Sequence, residues 1–294
     1  MVGVSSMCDE HTVEESQTYL RTMSRRDFSK AAISTALALS LPETLAAEAL
    51  VSSNVIIKTP DGNCDAVFVH PTVGTYPAVL IWPDILSLRP AFQEMAAQLA
   101  RSGYSVLCVN PYYRDRTAPV VELGETFGDP STREKVMPMY RKLNARTHKT
   151  DAISFTRWLD AQPAVNSNRK IGTMGYCMGG PIALRTAAAM PNRIGAACSY
   201  HGGGLVTEAS DSPHLLIPTM QAEFLIAIAE NDDERDPNSK VVLAREFEKH
   251  ELSAEIEVYE GTMHGWCVLD SPVYSHAPAE RAWSRTLALF DEAL

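Results

Sequence analysis

The chain lacks an apolar run long enough to span a bilayer comfortably: its N-terminal stretch AAISTALALSL holds about eleven residues where roughly twenty are needed. It also lacks any lysine-rich or arginine-rich tract interleaved with aromatics, and its formal net charge is −10. That removes the electrostatic footprint of a nucleic-acid-binding protein. Six cysteines stand at positions 8, 64, 108, 177, 198 and 267, with no close pair among them. Their spacing excludes an ordinary zinc site and a Cys-x-x-Cys redox motif, and they are too sparse to build a fold from disulfides. No internal repeat or low-complexity linker interrupts the chain. What is present is 294 residues, 45% hydrophobic and 21% charged, which suffices for one large core.

The N-terminal segment is different material. Ser24-Arg25-Arg26-Asp27-Phe28-Ser29-Lys30 precedes the apolar stretch, and the small-x-small site Ala47-Glu48-Ala49 follows it. This resembles a bacterial twin-arginine export signal. The expected division is a signal peptide over 1–49 and a single domain over 50–294, with the export machinery as a partner before processing and a periplasmic or otherwise exported product. The alternative is an amphipathic helix or tail on a cytoplasmic protein. Export would also carry the thiols into an oxidising compartment, so a reactive cysteine there needs a recessed position.

From residue 54 onward the pattern predicts order. NVIIKTP and CDAVFVHP flank Asp61-Gly62-Asn63, the signature of a short N-terminal hairpin. YPAVLIW is a continuously apolar strand, RPAFQEMAAQLARSG has apolar residues at helical spacing and ends on glycine, and YSVLCVN returns to a strand. A mostly polar region follows, with a helix expected in its last part, THKTDAISFTRWLDAQ. Then come strand KIGTMGYC, helix MGGPIALRTAAAM, strand IGAACSY, the buried-looking strands AEFLIAIAE and AEIEVYE separated by helix SKVVLAREFEKH, and a closing helix over 277–294. Strands alternating with helices predict an α/β fold, a mostly parallel sheet flanked by helices.

Gly175-Tyr176-Cys177-Met178-Gly179 places a cysteine between glycines at a strand-to-helix junction. This is the nucleophile-elbow arrangement with Cys in place of Ser: the turn projects the side chain, and the helix start offers backbone N–H groups to an anion. Asp232 follows one later strand and His264 the last, in the chain order nucleophile, acid, histidine. A thiol needs a base, and the base needs an acid to orient it. Asp233 competes with Asp232 in ENDDERD, and position does not separate them. Asp236, beside Pro237, is expected at a turn or helix start. The acidic cluster shows no convergent ligand set that would require a metal. His201, in SYHGGGL, is expected to hydrogen-bond and shape its own loop rather than to replace His264 as base; the glycines after it lack a phosphate-loop pattern.

GYCMGG, SYHGGGL, AENDD and YEGTMHGW, together with RPAFQEMAAQLARSGYSVLCVNPYYR, make the chain from about Asn54 onward resemble the dienelactone hydrolase family, a branch of the alpha/beta-hydrolases with a cysteine nucleophile. The resemblance implies an alpha/beta-hydrolase fold that hydrolyses enol-lactones or related carboxylic esters without a metal or organic cofactor. It implies Cys177 as nucleophile, His264 as base, Asp232 as the orienting acid, and the backbone amides of Ile85 and Met178 as oxyanion donors. Asp84, in WPDIL, stands where well-studied members have a glutamate linked to thiol activation, and Arg114, in NPYYR, matches an arginine associated with a substrate carboxylate. A second substrate-binding arginine, expected four positions after the histidine, is here Val268. Its loss disfavours bidentate recognition of a carboxylate. Tyr113, Tyr176 and Trp266 are expected more as packing groups than as ring-specific recognition elements.

A noncatalytic binding protein for an acyl-like small molecule on the same fold is the alternative from another class, and a redox protein is a weaker third. An ester or lactone substrate is the only partner the site itself implies; no segment requires an oligomer partner.

Overall fold

A computed structural model describes residues 49–294. The expected export motif and its cleavage site, but for Ala49, lie outside the described residues. Within them, eight strands form one sheet in the order β1-β2-β4-β3-β5-β6-β7-β8. Their ranges are β1 Leu50–Thr59, β2 Gly62–Pro71, β3 Ala78–Trp82, β4 Ser105–Val109, β5 Ile171–Tyr176, β6 Ile194–Tyr200, β7 Glu223–Ala229 and β8 Ala254–Tyr259. The β1–β2 and β2–β4 pairs are antiparallel and the others parallel. This is the alpha/beta-hydrolase-like fold with an N-terminal hairpin.

The hairpin closes tightly, with Thr59 opposite Gly62, and β1 begins at Leu50, earlier than its apolar pattern announces. In β3 every side chain is buried, and successive residues face opposite layers. Leu80 and Trp82 pack with Phe155 and Ile182 on one side, while Val79 and Ile81 pack with Phe92 and Leu99 on the other. Each such side chain contributes about 1.5–3 kcal/mol by leaving water, which is why an unbroken apolar pentapeptide is stable only at the centre of a covered sheet.

Helices supply the covering layers. Helix α1, Pro90–Arg101, buries Phe92, Met95, Ala96 and Leu99 on one face. Two helices precede β5: α2, Pro130–Tyr140, and α3, Ala145–Asp160. Helix α2 is not evident from the sequence pattern because only Thr132, Val136 and Met139 are buried and Pro138 lies inside it. Helix α3 starts two residues before its expected position because Asn144 caps it, accepting hydrogen bonds from the Arg146 and Thr147 amides at 3.0 and 3.2 Å. Helix α4, Gly179–Ala189, follows β5. The segment ENDDER forms a short helix, α5, Glu230–Arg235, where a loop is the simpler expectation, and α6, Pro237–Lys249, begins after Asp236. Strand β8 is an edge strand with most of its residues half-buried, unlike the interior position its pattern suggests. Helix α7, His276–Ala293, ends the chain. Among the described residues no helix is long and apolar enough to cross a membrane.

Candidate active site

Cys177 occupies the turn between β5 and α4 with φ 53°, a left-handed conformation that non-glycine residues adopt rarely and at a cost in strain. The turn is pinned by Cys177 N–H donating to the Tyr200 carbonyl at 3.0 Å and by Gly180 N–H donating to the Cys177 carbonyl at 3.1 Å. It folds so sharply that a Cβ on residue 175 would lie 1.9 Å from the Gly179 carbonyl oxygen, and one on residue 179 would lie 2.2 Å from that of Trp82. The two glycines are therefore required by the backbone approach that lifts the thiol out of the sheet.

His264, on the loop after β8, places its Nδ1 2.8 Å from Asp232 Oδ2, and its backbone amide donates to Asn231 Oδ1 at 2.8 Å. Both side chains of the pair are nearly inaccessible, at 7% and 2%. Burial by itself would keep the imidazole neutral. The Asp232 carboxylate and the Cys177 sulfur, to which His264 is hydrogen-bonded, outweigh burial and raise its pKa well above the ordinary histidine value. This arrangement favours the protonated imidazole. At the other four described cysteines, burial pushes the thiols of Cys64, Cys108 and Cys267 far up and that of Cys198 to about 12, so they are neutral at pH 7. Asp233, the competing acid, pairs instead with Lys240.

Ile85 follows β3 and Met178 precedes α4. Among the described residues neither backbone amide has a hydrogen-bond acceptor. Buried Tyr112 links the two: its hydroxyl donates to the Ile85 carbonyl at 3.0 Å and lies 3.2 Å from Met178 Sδ. Sequence reasoning missed this residue, since nothing in NPYYR distinguishes Tyr112 from its neighbour. Tyr113, Tyr176 and Trp266 are packing groups away from the cavity: Tyr113 bonds Asp151, Tyr176 stacks on Tyr200, and Trp266 stacks on Tyr259.

Two expected site residues have other partners. Asp84 lines the cavity, but both its oxygens are bonded by Arg89, at 2.7 and 2.9 Å. Arg114 is not at the cavity; it joins Asp61 in the hairpin turn to Asp151 in α3, at 2.8 and 2.6 Å. Two carboxylates on that side of the fold draw the guanidinium away from the site. Arg89 and Asp270, which do line the cavity, were not legible as site residues: Arg89 opens the RPAFQ stretch that reads as a helix start, and Asp270 stands in no motif.

His201 differs from its expected role. Its ring is 1% exposed with neither nitrogen hydrogen-bonded, and it meets the His264 ring edge-on at 4.8 Å between centroids. Burial, reinforced by His264, pushes its pKa well below the ordinary value, so it is a neutral imidazole. Loop shape comes instead from its backbone, whose N–H donates to the Ala227 carbonyl at 2.8 Å, and from Gly202, which packs under Gly180.

Cys177, His264, His201, Asp84, Arg89 and Asp270 share a cavity of about 290 Å³, the small end of the range for ligand pockets. A thiol, a paired imidazole and unbonded amides around such a space are groups that acyl transfer calls for.

The solved structures that resemble the chain include a dienelactone hydrolase-like promiscuous phosphotriesterase from metagenomic libraries, with 20% identity, a TM-score of 0.68 and coverage of 83% of this chain and 99% of the other. A dienelactone hydrolase from Anabaena variabilis covers 83% and 99% likewise, at 18% identity and a TM-score of 0.59. At those identities they speak to fold alone. Among curated relatives, carboxymethylenebutenolidase 1 of Cupriavidus pinatubonensis is 26% identical over 230 residues, 78% of this chain and 91% of that protein. The model of the dienelactone hydrolase family matches residues 64–294. The chain belongs to the dienelactone hydrolase family and is a dienelactone-hydrolase-like carboxylic ester hydrolase.

Proposed function

We propose that the chain hydrolyses a carboxylic ester or enol-lactone through an acyl-enzyme on Cys177, with His264 as base and Asp232 as its orienting acid. The observation that carries this reading is the position of His264, bonded to Asp232 on one side and to Cys177 on the other, within the cavity. Cys177 thiolate attacks the carbonyl carbon, and the resulting oxyanion is met by the amides of Ile85 and Met178. Collapse breaks the ester C–O bond, and the imidazolium of His264 gives its proton to the departing oxygen. His264 then takes a proton from water as the water oxygen attacks the thioester carbon; the C–S bond breaks and the thiolate returns. In a lactone the departing oxygen stays tethered to the acyl product.

The test is time-resolved intact mass spectrometry with activated neutral esters and enol-lactones, run beside Cys177→Ala. A transient acyl mass on the parent that is absent from the variant, together with product, is the expected result. Equal product from both proteins would exclude Cys177 as nucleophile. Reversible ligand binding without turnover in either would favour the binding-protein alternative. The export reading of residues 1–49 rests on the Arg25-Arg26 motif; fractionation of cells producing the parent and an Arg25→Lys, Arg26→Lys double variant tests it, with retention of the variant in the cytoplasm as the expected outcome.

A further inference from the structure

Arg89 is the only arginine or lysine among the described residues that line the cavity. An arginine has five N–H donors, and here all five have acceptors. Nη1 donates to Asp84 Oδ1 at 2.7 Å and to the Ser87 carbonyl at 3.2 Å; Nη2 donates to Asp84 Oδ2 at 2.9 Å and to Asp270 Oδ1 at 2.8 Å; Nε donates to Asp270 Oδ2 at 2.7 Å. The guanidinium also lies over the Phe92 ring, 4.9 Å from its centroid, which fixes its plane. Arg89 itself is 6% exposed, whereas the Asp270 side chain is 42% exposed.

Two carboxylates thus enclose the one cavity arginine, and no donor of that arginine is left for a third. The remaining charged groups do not reverse this. Glu125 and Asp129 add negative charge to the wall, with Glu125 paired to Lys135, which is not at the cavity surface. Arg133 donates to the Phe127 and Gly128 carbonyls, and Arg114 is held elsewhere by Asp61 and Asp151. His264 is matched by Asp232. A substrate carboxylate entering this space would lose water and meet like charge without a bidentate partner, which is unfavourable on both counts.

We infer that Asp270 sets the charge selectivity of the site, by occupying Nε and one Nη2 donor of Arg89, so that the enzyme takes esters and lactones whose acyl part is uncharged and rejects those bearing a carboxylate. The inference rests on the reading of this cavity as the ester site. It separates the chain from the activity in the printed name of its relative, since a carboxymethylenebutenolide carries a carboxyl group. Two features act together: Val268 stands where the family resemblance leads one to expect an arginine, and the cavity arginine that is present is closed off by a residue on the same loop.

The experiment uses a matched pair: the para-nitrophenyl ester of monomethyl succinate, whose acyl chain is neutral, and para-nitrophenyl hydrogen succinate, whose acyl chain ends in a carboxylate. In the parent the expected kcat/KM is at least about tenfold higher for the neutral ester. Asp270→Ala exposes two donors of Arg89 while leaving the Asp84 clamp, and because Asp270 is at the surface the truncation opens no buried void. Its expected effect is to narrow the neutral-to-carboxylate ratio about tenfold, chiefly through a lower KM for the carboxylate ester, and Asp270→Asn shifts the ratio in the same direction by less. A parent that hydrolyses both esters equally, or an Asp270→Ala ratio equal to the parent's, overturns the inference. Cys177→Ala run in parallel separates the two levels: persistence of neutral-ester turnover in that variant refutes the covalent mechanism without touching the charge preference. If neither ester turns over in the parent, calorimetric binding of dimethyl succinate against monomethyl succinate decides the charge preference, tighter binding of the diester supporting it and tighter binding of the monoanion overturning it.

Discussion

Asp232 Oδ2 lies 2.8 Å from His264 Nδ1, while Asp233, one residue on, turns to Lys240. One step along α5 rotates a side chain by about 100°, so adjacent aspartates cannot both face the imidazole. Asp232→Asn would leave the shape and remove the charge that stabilises the imidazolium, and a loss of roughly 10³- to 10⁴-fold in kcat is expected. Asp233→Asn is expected to change kcat by less than about threefold, since a half-exposed pair with lysine contributes ~1 kcal/mol or less to stability. Steady-state kinetics of both variants on a neutral ester check this, and equal losses would refute the distinction.

Tyr112→Phe tests the support behind the Ile85 and Met178 amides proposed to meet the oxyanion. The hydroxyl bridges the Ile85 carbonyl and Met178, so its removal loosens the relative position of the two loops. Tyr112 acts through Ile85 and is a positioning residue. About a tenfold fall in kcat with little change in KM is expected, with a stability loss of ~1 kcal/mol. A change in stability alone, with kcat intact, would make the tyrosine merely structural.

Acid stability carries a further prediction. His148 is buried with both ring nitrogens unbonded, and burial, helped by Arg185 and Arg114, pushes its pKa down from 6.5 to about 3. Between those values the unfolded chain binds a proton that the folded chain does not, so stability falls with falling pH by about 1.4 kcal/mol per unit from this residue. His201 acts in the same direction, its pKa also being lowered. His264, whose pKa is raised, acts in the opposite sense: its contribution is present below the ordinary value and is lost as pH rises through the folded value. His148→Leu should therefore flatten the acid limb below about pH 6.5 by roughly 1 kcal/mol per unit. Urea unfolding of parent and variant at neutral and mildly acidic pH measures it.

Gly175→Ala asks whether the elbow tolerates a methyl group. The added carbon would sit 1.9 Å from the Gly179 carbonyl oxygen, backbone against backbone with no side chain able to yield. A destabilisation of roughly 3 kcal/mol or more is expected, read as a shift in the unfolding midpoint. A parent-like midpoint would show that the turn can open.

The sequence by itself determined the alternation of strands and helices, because an apolar pentapeptide such as AVLIW and a helical stripe such as that of PAFQEMAAQLAR have periods that admit few alternatives. It also determined the elbow: a cysteine two residues from a glycine on either side, at a strand end, marks a local backbone event that needs no long-range information. Helix α2 escaped because its buried residues are few and a proline lies inside it, so neither composition nor period marks it.

Tertiary structure decided what depends on distance across the chain. Arg89 meets Asp270 across a sequence separation of 181, and Arg114 meets Asp61 and Asp151 on the far side of the hairpin. A guanidinium takes whichever carboxylates the fold brings within reach, and its own sequence neighbourhood says nothing about which they are. The same holds for Asp232 and Asp233, alike in type and adjacent in sequence, separated only by the turn of one short helix toward His264.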